Sequence, residues 1–296
     1  MASQLFKGII AYPVTPFDRQ TGGIDSAALR AGIERLIAAG VHAIAPLGST
    51  GESAYLDDEE WDQAAEASIA QVARRVPVVV GISDLTTRNA VRRARFAEQA
   101  GADAVMVLPI SYWKLGEAEI FRHYASIAEA IGIPVMVYNN PATSGIDMQP
   151  AFIARLVREI GNVTMVKESS GDIQRMHALR QISDDTIPFY NGSNPLALEA
   201  FCAGATGWCT AAPNLIPQLT LALYQAVQAG ELARARELFY RQLPLLDFIL
   251  KGGLPTTIKA GLRLQGFEAG EPRLPLQPLA DTGATQLGKL LARLAA

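Results

Sequence analysis

The sequence predicts an α/β fold, a closed (β/α)8 TIM barrel with a C-terminal helical extension. Three observations support this fold class. Eight short apolar runs alternate with helix-like stretches, five of the runs directly follow a glycine, and the runs are continuous in apolar residues rather than alternating. Glycine is favoured just past a helix end because it accepts positive φ. Continuous apolar runs are typical of parallel strands covered on both faces.

The eight strand candidates are residues 8–14, 41–45, 76–81, 102–108, 133–138, 162–167, 187–190 and 205–210. Between them, Asp57 followed by Glu60 predicts a helix start of the capping-box type, and Thr86 or Thr87 opens the next helix. Further helical patterns occupy residues 218–229, 231–250, 256–265 and 284–295. This is more helix than an eighth unit needs. We therefore expect a barrel over residues 1–230 and an extension over residues 231–296.

Two other interpretations of the chain are less favoured. A doubly wound sheet is the alternative fold, but no GxGxxG follows the first strand. Residues 200–230 contain no charged side chain and are long enough to span a bilayer. Pro213 and Pro217 interrupt this stretch, which therefore predicts a buried strand, a loop and a helix. We expect no membrane partner.

Composition excludes several functional classes. The formal net charge is -3, and short arginine pairs stand beside acidic residues, so the sequence predicts no nucleic-acid partner. Cys202 and Cys209 do not make a disulfide framework. Residues 1–8 contain no long apolar run of the kind found in secretory signals. These features together predict a cytoplasmic protein.

The candidate site is the set of reactive side chains at the C-terminal ends of the strands, where barrel enzymes place their chemistry. Lys167 ends the sixth apolar run and points either into the barrel mouth or outward to solvent. In a partly desolvated site an ammonium group loses its proton more readily, and the neutral amine attacks a ketone. Lys167 is therefore a candidate Schiff-base lysine, with a solvated strand-end lysine as the alternative.

Two more strand ends carry groups that suit imine chemistry. Tyr138 ends the fifth run, and beside an imine-forming lysine it can move the protons that carbinolamine formation and dehydration require. Otherwise it is a core aromatic residue. Residues 48–52, GSTGE, follow the second run, and their glycines permit a turn whose N–H groups face an anion beside two hydroxyls. This turn suits a carboxylate, and a Walker phosphate loop is absent.

A metal-dependent aldolase is the rival chemistry, and it requires several histidine ligands. His42 lies near the start of a strand, at the wrong end, whereas His123 and His177 fall within helical patterns. No HxH or HExxH motif occurs. We therefore expect no catalytic metal.

Several motifs in order along the chain resemble those of one known family. They are GIIAYPVTPF at 8–17, GSTGE at 48–52, YNNP at 138–141, VKESSG at 166–171 and RLPL at 273–276. They resemble the dihydrodipicolinate synthase / N-acetylneuraminate lyase superfamily of pyruvate-dependent class I aldolases. The resemblance covers nearly the whole chain.

The resemblance implies a role for each matching residue. Lys167 corresponds to the Schiff-base lysine and Tyr138 to the acid/base tyrosine. Ser49 and Thr50 correspond to the residues that bind the pyruvate carboxylate, and Thr50 is expected to join the proton relay. In the synthases a neighbouring subunit lends a second tyrosine, for which Tyr112 is the nearest match. The resemblance further implies a homotetramer, a dimer of dimers, with a 2-oxo acid as ligand and no metal or organic cofactor.

Two positions depart from the patterns of well-known members. The synthases carry an arginine for the carboxylate of the second substrate, and Thr143 occupies that position here. Sialic acid lyases carry an aspartate in the seventh-strand loop, where this chain has Asn194 after Gly192. We expect Thr143, Gly192 and Asn194 to bind substrate. The chain lacks both the arginine of the synthases and the aspartate of the sialic acid lyases, so the sequence supports neither of their second substrates.

The sequence therefore predicts a Schiff-base lyase or synthase that condenses or releases pyruvate and resembles dihydrodipicolinate synthase. Four alternatives stay open: 4-hydroxy-tetrahydrodipicolinate synthase proper, a 2-oxo acid dehydratase using the same imine, a non-catalytic 2-oxo acid binding protein, and a phosphate-substrate isomerase. The absence of a glycine-rich phosphate loop after strands seven and eight weakens the last of these.

Overall fold

The computed structural model describes residues 6–295, in which eight parallel strands form one ring. The strands are β1 (Gly8–Ala11), β2 (Ala43–Ile44), β3 (Val79–Gly81), β4 (Ala104–Val107), β5 (Val135–Asn139), β6 (Val163–Glu168), β7 (Phe189–Asn191) and β8 (Gly207–Thr210). Strands adjacent in sequence are paired from β3 to β8, β8 pairs with β1, and β1 pairs with β2. A parallel bridge between Ile44 and Val78 closes the ring. The predicted (β/α)8 barrel is confirmed.

The helices are α1 (Ser26–Ala38), α2 (Asp58–Val72), α3 (Thr87–Ala100), α4 (Glu117–Glu129), α5 (Pro141–Ser144), α6 (Pro150–Glu159), α7 (Ile173–Ser183), α8 (Ala197–Cys202), α9 (Pro217–Gln228), α10 (Leu232–Gly252), α11 (Leu254–Leu264) and α12 (Asp281–Ala295). The two predicted helix starts are confirmed. The Asp57 carboxylate accepts a hydrogen bond from the Glu60 N–H at 2.8 Å, and the Glu60 carboxylate accepts one from the Asp57 N–H at 3.2 Å. The Thr86 hydroxyl accepts from the Asn89 N–H at 3.2 Å.

Most strands are shorter than the apolar runs that predict them. β2 contains only two residues, because the chain turns away from the sheet at Leu47, whose φ is +61°. Residues 200–230 form the end of α8, strand β8, a loop and helix α9, as predicted. Among residues 6–295, no helix combines the length and the apolar character that a membrane crossing requires. Residues 1–5, part of the segment considered as a leader, lie outside the described residues.

The C-terminal helices extend the barrel and lie against the loops at the C-terminal ends of its strands. α10 packs against α9 and α12, and α11 lies beside the turn that follows β2. The Lys259 ammonium on α11 lies 2.7 Å from the Glu52 carboxylate, and the Arg273 N–H donates to the same carboxylate at 2.7 Å. Because α9 ends at Gln228 and α10 begins at Leu232, we propose the division into a 1–230 barrel and a 231–296 extension.

Candidate active site

A cavity of about 460 Å³ opens at the C-terminal ends of the strands. It brings together nearly all of the residues that the sequence singled out: Ser49, Thr50, Tyr138, Thr143, Lys167, Gly192 and Asn194. Tyr112 is the exception, because its side chain is 96% exposed on the loop after β4 and does not line the cavity. Within one chain, the predicted site is therefore assembled without its second tyrosine.

The Lys167 side chain points into the barrel mouth. Lys167 is only 5% exposed, and its ammonium lies 3.8 Å from the centre of the Tyr138 ring and 4.1 Å from that of Tyr12. Lys167 and Tyr138 are register partners on β6 and β5, which sets the two side chains next to each other. The alternative of a solvated strand-end lysine is therefore wrong.

Gly192 provides the space that the lysine occupies. A Cβ at this position would lie 2.8 Å from the Lys167 Cε and 1.7 Å from the Ser169 hydroxyl oxygen. Both distances are below any ordinary carbon contact, so a larger residue would displace the lysine from its place at the mouth of the barrel. Gly192 thus acts on the site through its missing side chain.

The Tyr138 hydroxyl is held by polar neighbours in a buried position. The side-chain amide of Asn140 donates to it at 2.8 Å. Burial alone would raise the pKa of Tyr138, but the charge of Lys167 and hydrogen bonds with Asn140, Ser49 and Lys167 outweigh that effect. The pKa of Tyr138 consequently lies below its ordinary value, which suits a group that gives up and recovers a proton.

The GSTGE turn is a short 3-10 segment, Ser49–Gly51, between two residues with positive φ. Leu47 has φ +61° and Glu52 has φ +58°, a backbone region that side chains other than glycine rarely adopt. The turn is fixed from outside: Thr15 donates to the Gly51 carbonyl at 2.7 Å, and Gly81 leaves space for the Leu47 carbonyl. The hydroxyl-bearing residues Ser49 and Thr50 are thereby held at the cavity wall.

A buried polar network joins the C-terminal ends of β5 and β6. The Asn139 amide donates to the Glu168 carboxylate at 3.1 and 3.3 Å, and the Ser170 N–H donates to it at 2.7 Å. Arg175 lies 3.4 Å from the same carboxylate and also contacts Asp147. Because Asn139 and Glu168 directly follow Tyr138 and Lys167 in sequence, the network fixes the two reactive side chains relative to each other.

The rest of the cavity lining includes neutral polar groups. Asn194 is buried, and its amide oxygen accepts from the Thr210 hydroxyl at 2.8 Å. Thr143 lies at the exposed rim on α5. Among the lining residues within the described part of the chain, Lys167 is the one that carries a formal charge.

The three histidines lie away from this cavity. The His42 ring accepts from the Ile9 N–H at 3.1 Å, the His123 ring lies 2.9 Å from the Thr87 hydroxyl, and His177 lies on α7. Within residues 6–295, no group of three or more His, Cys, Asp or Glu side chains is arranged to hold a metal ion.

Three residues of the site were not assigned a role from the sequence. Tyr12 lies in the opening motif, but its contact with the lysine arises because β1 and β6 face each other across the barrel. Cys209, which was considered above only with regard to disulfides, is buried and lines the cavity. Asn140 stands within the YNNP motif two positions after Tyr138, and that spacing was the one available signal.

Comparisons with known proteins agree on one family. Residues 5–294 match the model of the dihydrodipicolinate synthetase family. A 4-hydroxy-tetrahydrodipicolinate synthase of Syntrophus aciditrophicus is 35% identical over 287 residues, which are 97% of this chain and 98% of the relative. A second such synthase, from Methylobacterium radiotolerans, is 36% identical over 281 residues, 95% of this chain and 93% of the relative.

Solved structures give the same result. A candidate dihydrodipicolinate synthetase of Pseudomonas aeruginosa superposes with a TM-score of 0.96 and is 65% identical, covering 98% of this chain and 99% of that one. The 4-hydroxy-tetrahydrodipicolinate synthase of Methylacidiphilum fumariolicum superposes with a TM-score of 0.94 at 29% identity. The match covers 98% of this chain and 96% of that one. The chain therefore belongs to the dihydrodipicolinate synthetase family, whose members are pyruvate-dependent lyases and synthases of the class I aldolase type.

Proposed function

We propose that the chain joins pyruvate to an aldehyde, or releases pyruvate from the product, through an imine on Lys167. The observation that supports this most directly is the Lys167 ammonium, buried between the rings of Tyr12 and Tyr138 in a cavity. A lysine held among aromatic rings is shielded from water, and its neutral form is a nucleophile for ketones.

The chemistry assigns one task to each group. The neutral amine of Lys167 attacks C2 of pyruvate, and the ketone oxygen takes up a proton to give a carbinolamine. Tyr138 protonates the carbinolamine hydroxyl, which leaves as water, and a protonated imine remains. The Tyr138 phenolate takes up a proton from C3 of the imine, which gives an enamine. Its C3 attacks the aldehyde carbon, and the aldehyde oxygen takes up a proton. Water then hydrolyses the imine, which frees the amine and a 4-hydroxy-2-oxo acid.

The turn after β2 suits the carboxylate of pyruvate. Ser49 and Thr50 line the same cavity as Lys167, and the turn presents two hydroxyls together with backbone N–H groups. Thr50 is the hydroxyl that we propose for the proton relay with Tyr138. The protonated imine supplies the electron sink that a metal provides in other aldolases, so the proposal includes no metal or organic cofactor. We also propose a cytoplasmic location, in keeping with two unpaired cysteines.

Reductive trapping tests the imine. Incubation with pyruvate and borohydride is expected to add one pyruvyl-derived group, located on Lys167 by peptide mass spectrometry. Addition of a chelator is expected to leave both trapping and turnover unchanged. Lys167→Ala should remove the label, whereas Lys251→Ala, which changes an exposed lysine, should retain it. Labelling at another residue, or turnover that needs added zinc, would contradict the proposal.

Assembly gives a second test. We propose a homotetramer in which the exposed Tyr112 of one subunit completes the site of its neighbour; symmetric assemblies of identical subunits are the common oligomeric form. Light scattering is expected to give four chains, and Tyr112→Phe is expected to lower kcat. Trp113→Phe changes the neighbouring exposed aromatic residue and serves as the control. A monomer with full activity would show that Tyr112 has no such role.

A further inference from the structure

Asn140 lies beside the Tyr138 hydroxyl at the C-terminal end of β5. It follows β5 directly, lines the main cavity, and directs its side-chain amide to the Tyr138 hydroxyl at 2.8 Å. Its own backbone is anchored, because its carbonyl accepts from the N–H groups of Thr143 at 3.1 Å and Ser144 at 3.0 Å. The amide is therefore fixed relative to the tyrosine by the first turn of α5.

The direction of this hydrogen bond has a chemical consequence. An amide nitrogen donates and does not accept, so the Tyr138 oxygen is the acceptor. The hydroxyl proton is then free to point elsewhere, towards Ser49, Lys167 or a substrate atom. When Tyr138 releases that proton, its oxygen becomes a phenolate that still faces the Asn140 donor. Hydrogen bonds to a charged partner are shorter and stronger than neutral ones, so the contact strengthens as the proton leaves.

No carboxylate in the main cavity, among the described residues, competes with Tyr138 for the Asn140 amide. The titratable groups that interact with Tyr138 are Lys167 on β6, Tyr12 after β1 and Tyr124 on α4. Tyr55 lines both cavities with Tyr138, and Cys209 on β8 lies next to Lys167 and Tyr12. No aspartate or glutamate lines the main cavity among residues 6–295. Glu52 lines the adjoining cavity of about 130 Å³, but the Lys259 ammonium lies 2.7 Å from its carboxylate.

We propose that Asn140 is a positioning residue that acts through Tyr138: it stabilises the phenolate each time Tyr138 gives its proton to the carbinolamine. The inference rests on the proposed imine chemistry. It gives a reason for an amide, rather than an apolar side chain, next to the Tyr138 hydroxyl. Burial of Tyr138 disfavours its charged form, and a fixed donor offsets that cost.

The inference predicts a shift in the ionisation of Tyr138. Asn140→Leu removes the donor at similar size, and a lost hydrogen bond to a charged oxygen corresponds to a rise of about one to two units in the tyrosine pKa. We expect kcat near neutral pH to fall about 10-fold, because proton transfer from Tyr138 becomes less favourable, with little change in KM for pyruvate. Asn140→Asp, which places a negative charge beside the oxygen, should raise the pKa at least as far.

The measurement is an ultraviolet titration of tyrosinate absorbance, taken as the difference between each protein and its Tyr138→Phe counterpart, together with the pH profile of kcat. Gln149→Leu replaces an exposed amide of the same loop, does not touch Tyr138, and should leave both unchanged. Borohydride trapping on Lys167 separates the two ideas. If wild type fails to trap, the imine proposal is wrong. If trapping occurs but Asn140→Leu or Asn140→Asp keeps the wild-type ionisation, Asn140 does not have this role.

Discussion

Lys259→Met is expected to lower the free energy of unfolding by about 3–5 kcal/mol, the usual cost of removing one member of a buried ion pair. Lys259 and Glu52 are each about 1% exposed, and their charged atoms are 2.7 Å apart. Methionine fills a similar volume, so the loss comes from the Glu52 charge, which stays buried without its main cation. The lysine also donates to the Glu271 carbonyl at 3.1 Å, and this bond is lost as well.

A double-mutant cycle isolates the pair from other effects. Denaturant unfolding of Lys259→Met, Glu52→Gln and the double variant should give a double variant that is more stable than the sum of the single losses predicts. Arg155→Met serves as the control, because Arg155 and Glu159 form an exposed pair on α6 that is expected to contribute less than about 1 kcal/mol. Equal small losses at the buried and the exposed pair would refute the argument.

The same pair connects the extension to catalysis. Glu52 ends the GSTGE turn at φ +58°, and a strained backbone of this kind persists where its surroundings hold it. Removal of Lys259 should therefore also raise KM for pyruvate, because Ser49 and Thr50 depend on the turn. We accordingly propose that residues 1–230 and 231–296 unfold in one transition. Two separated transitions in the wild type would show instead that the extension is an independent domain.

The barrel could be predicted from the sequence because each strand–helix unit has a recognisable local sequence pattern. Gly101 ends α3, and the apolar run after it contains β4, so a pattern of a few residues is enough to place a strand. The capping box at Asp57 and Glu60 acts over three positions and was predicted for the same reason. Strand lengths were harder to predict, since apolar runs continue into buried loops such as the one at Leu47.

Site residues were predictable where the strand end itself carries the chemistry. Lys167 and Tyr138 each lie one residue before the C-terminal end of their strands, and the fold rule that places active sites at these ends was sufficient. The Glu52–Lys259 pair and the ring of Tyr12 over the lysine were not predicted, because they join segments far apart in sequence. Their geometry depends on how the barrel closes and on how the C-terminal extension packs against the turn after β2. No local sequence pattern encodes either of these.

We expect Thr143 to determine which aldehyde the chain accepts, and we expect its substitution to have a large effect on kcat/KM. A guanidinium fork binds a carboxylate through two charge-assisted hydrogen bonds, whereas a threonine offers one neutral hydroxyl on a shorter stem. The cavity around Thr143 supports this view, since Asn140, Asn194 and four serines line it and Lys167 is the charged group among its described lining residues. An uncharged or hydroxylated aldehyde can satisfy these groups without leaving a carboxylate unpaired.

Aspartate semialdehyde should therefore be a poor partner for wild type, and Thr143→Arg should improve it. Hydrogen bonds to charged groups contribute roughly 1.5–3 kcal/mol each, so the gain in kcat/KM for pyruvate plus aspartate semialdehyde is expected to be about 10-fold to several hundred-fold. Thr143→Gln, a neutral side chain of greater length, should give little gain, which separates charge from reach. With a neutral hydroxylated aldehyde, kcat/KM should not increase in Thr143→Arg. If wild type already condenses aspartate semialdehyde at high efficiency, backbone N–H groups or a cation from another subunit must hold its carboxylate, and the inference from Thr143 is wrong.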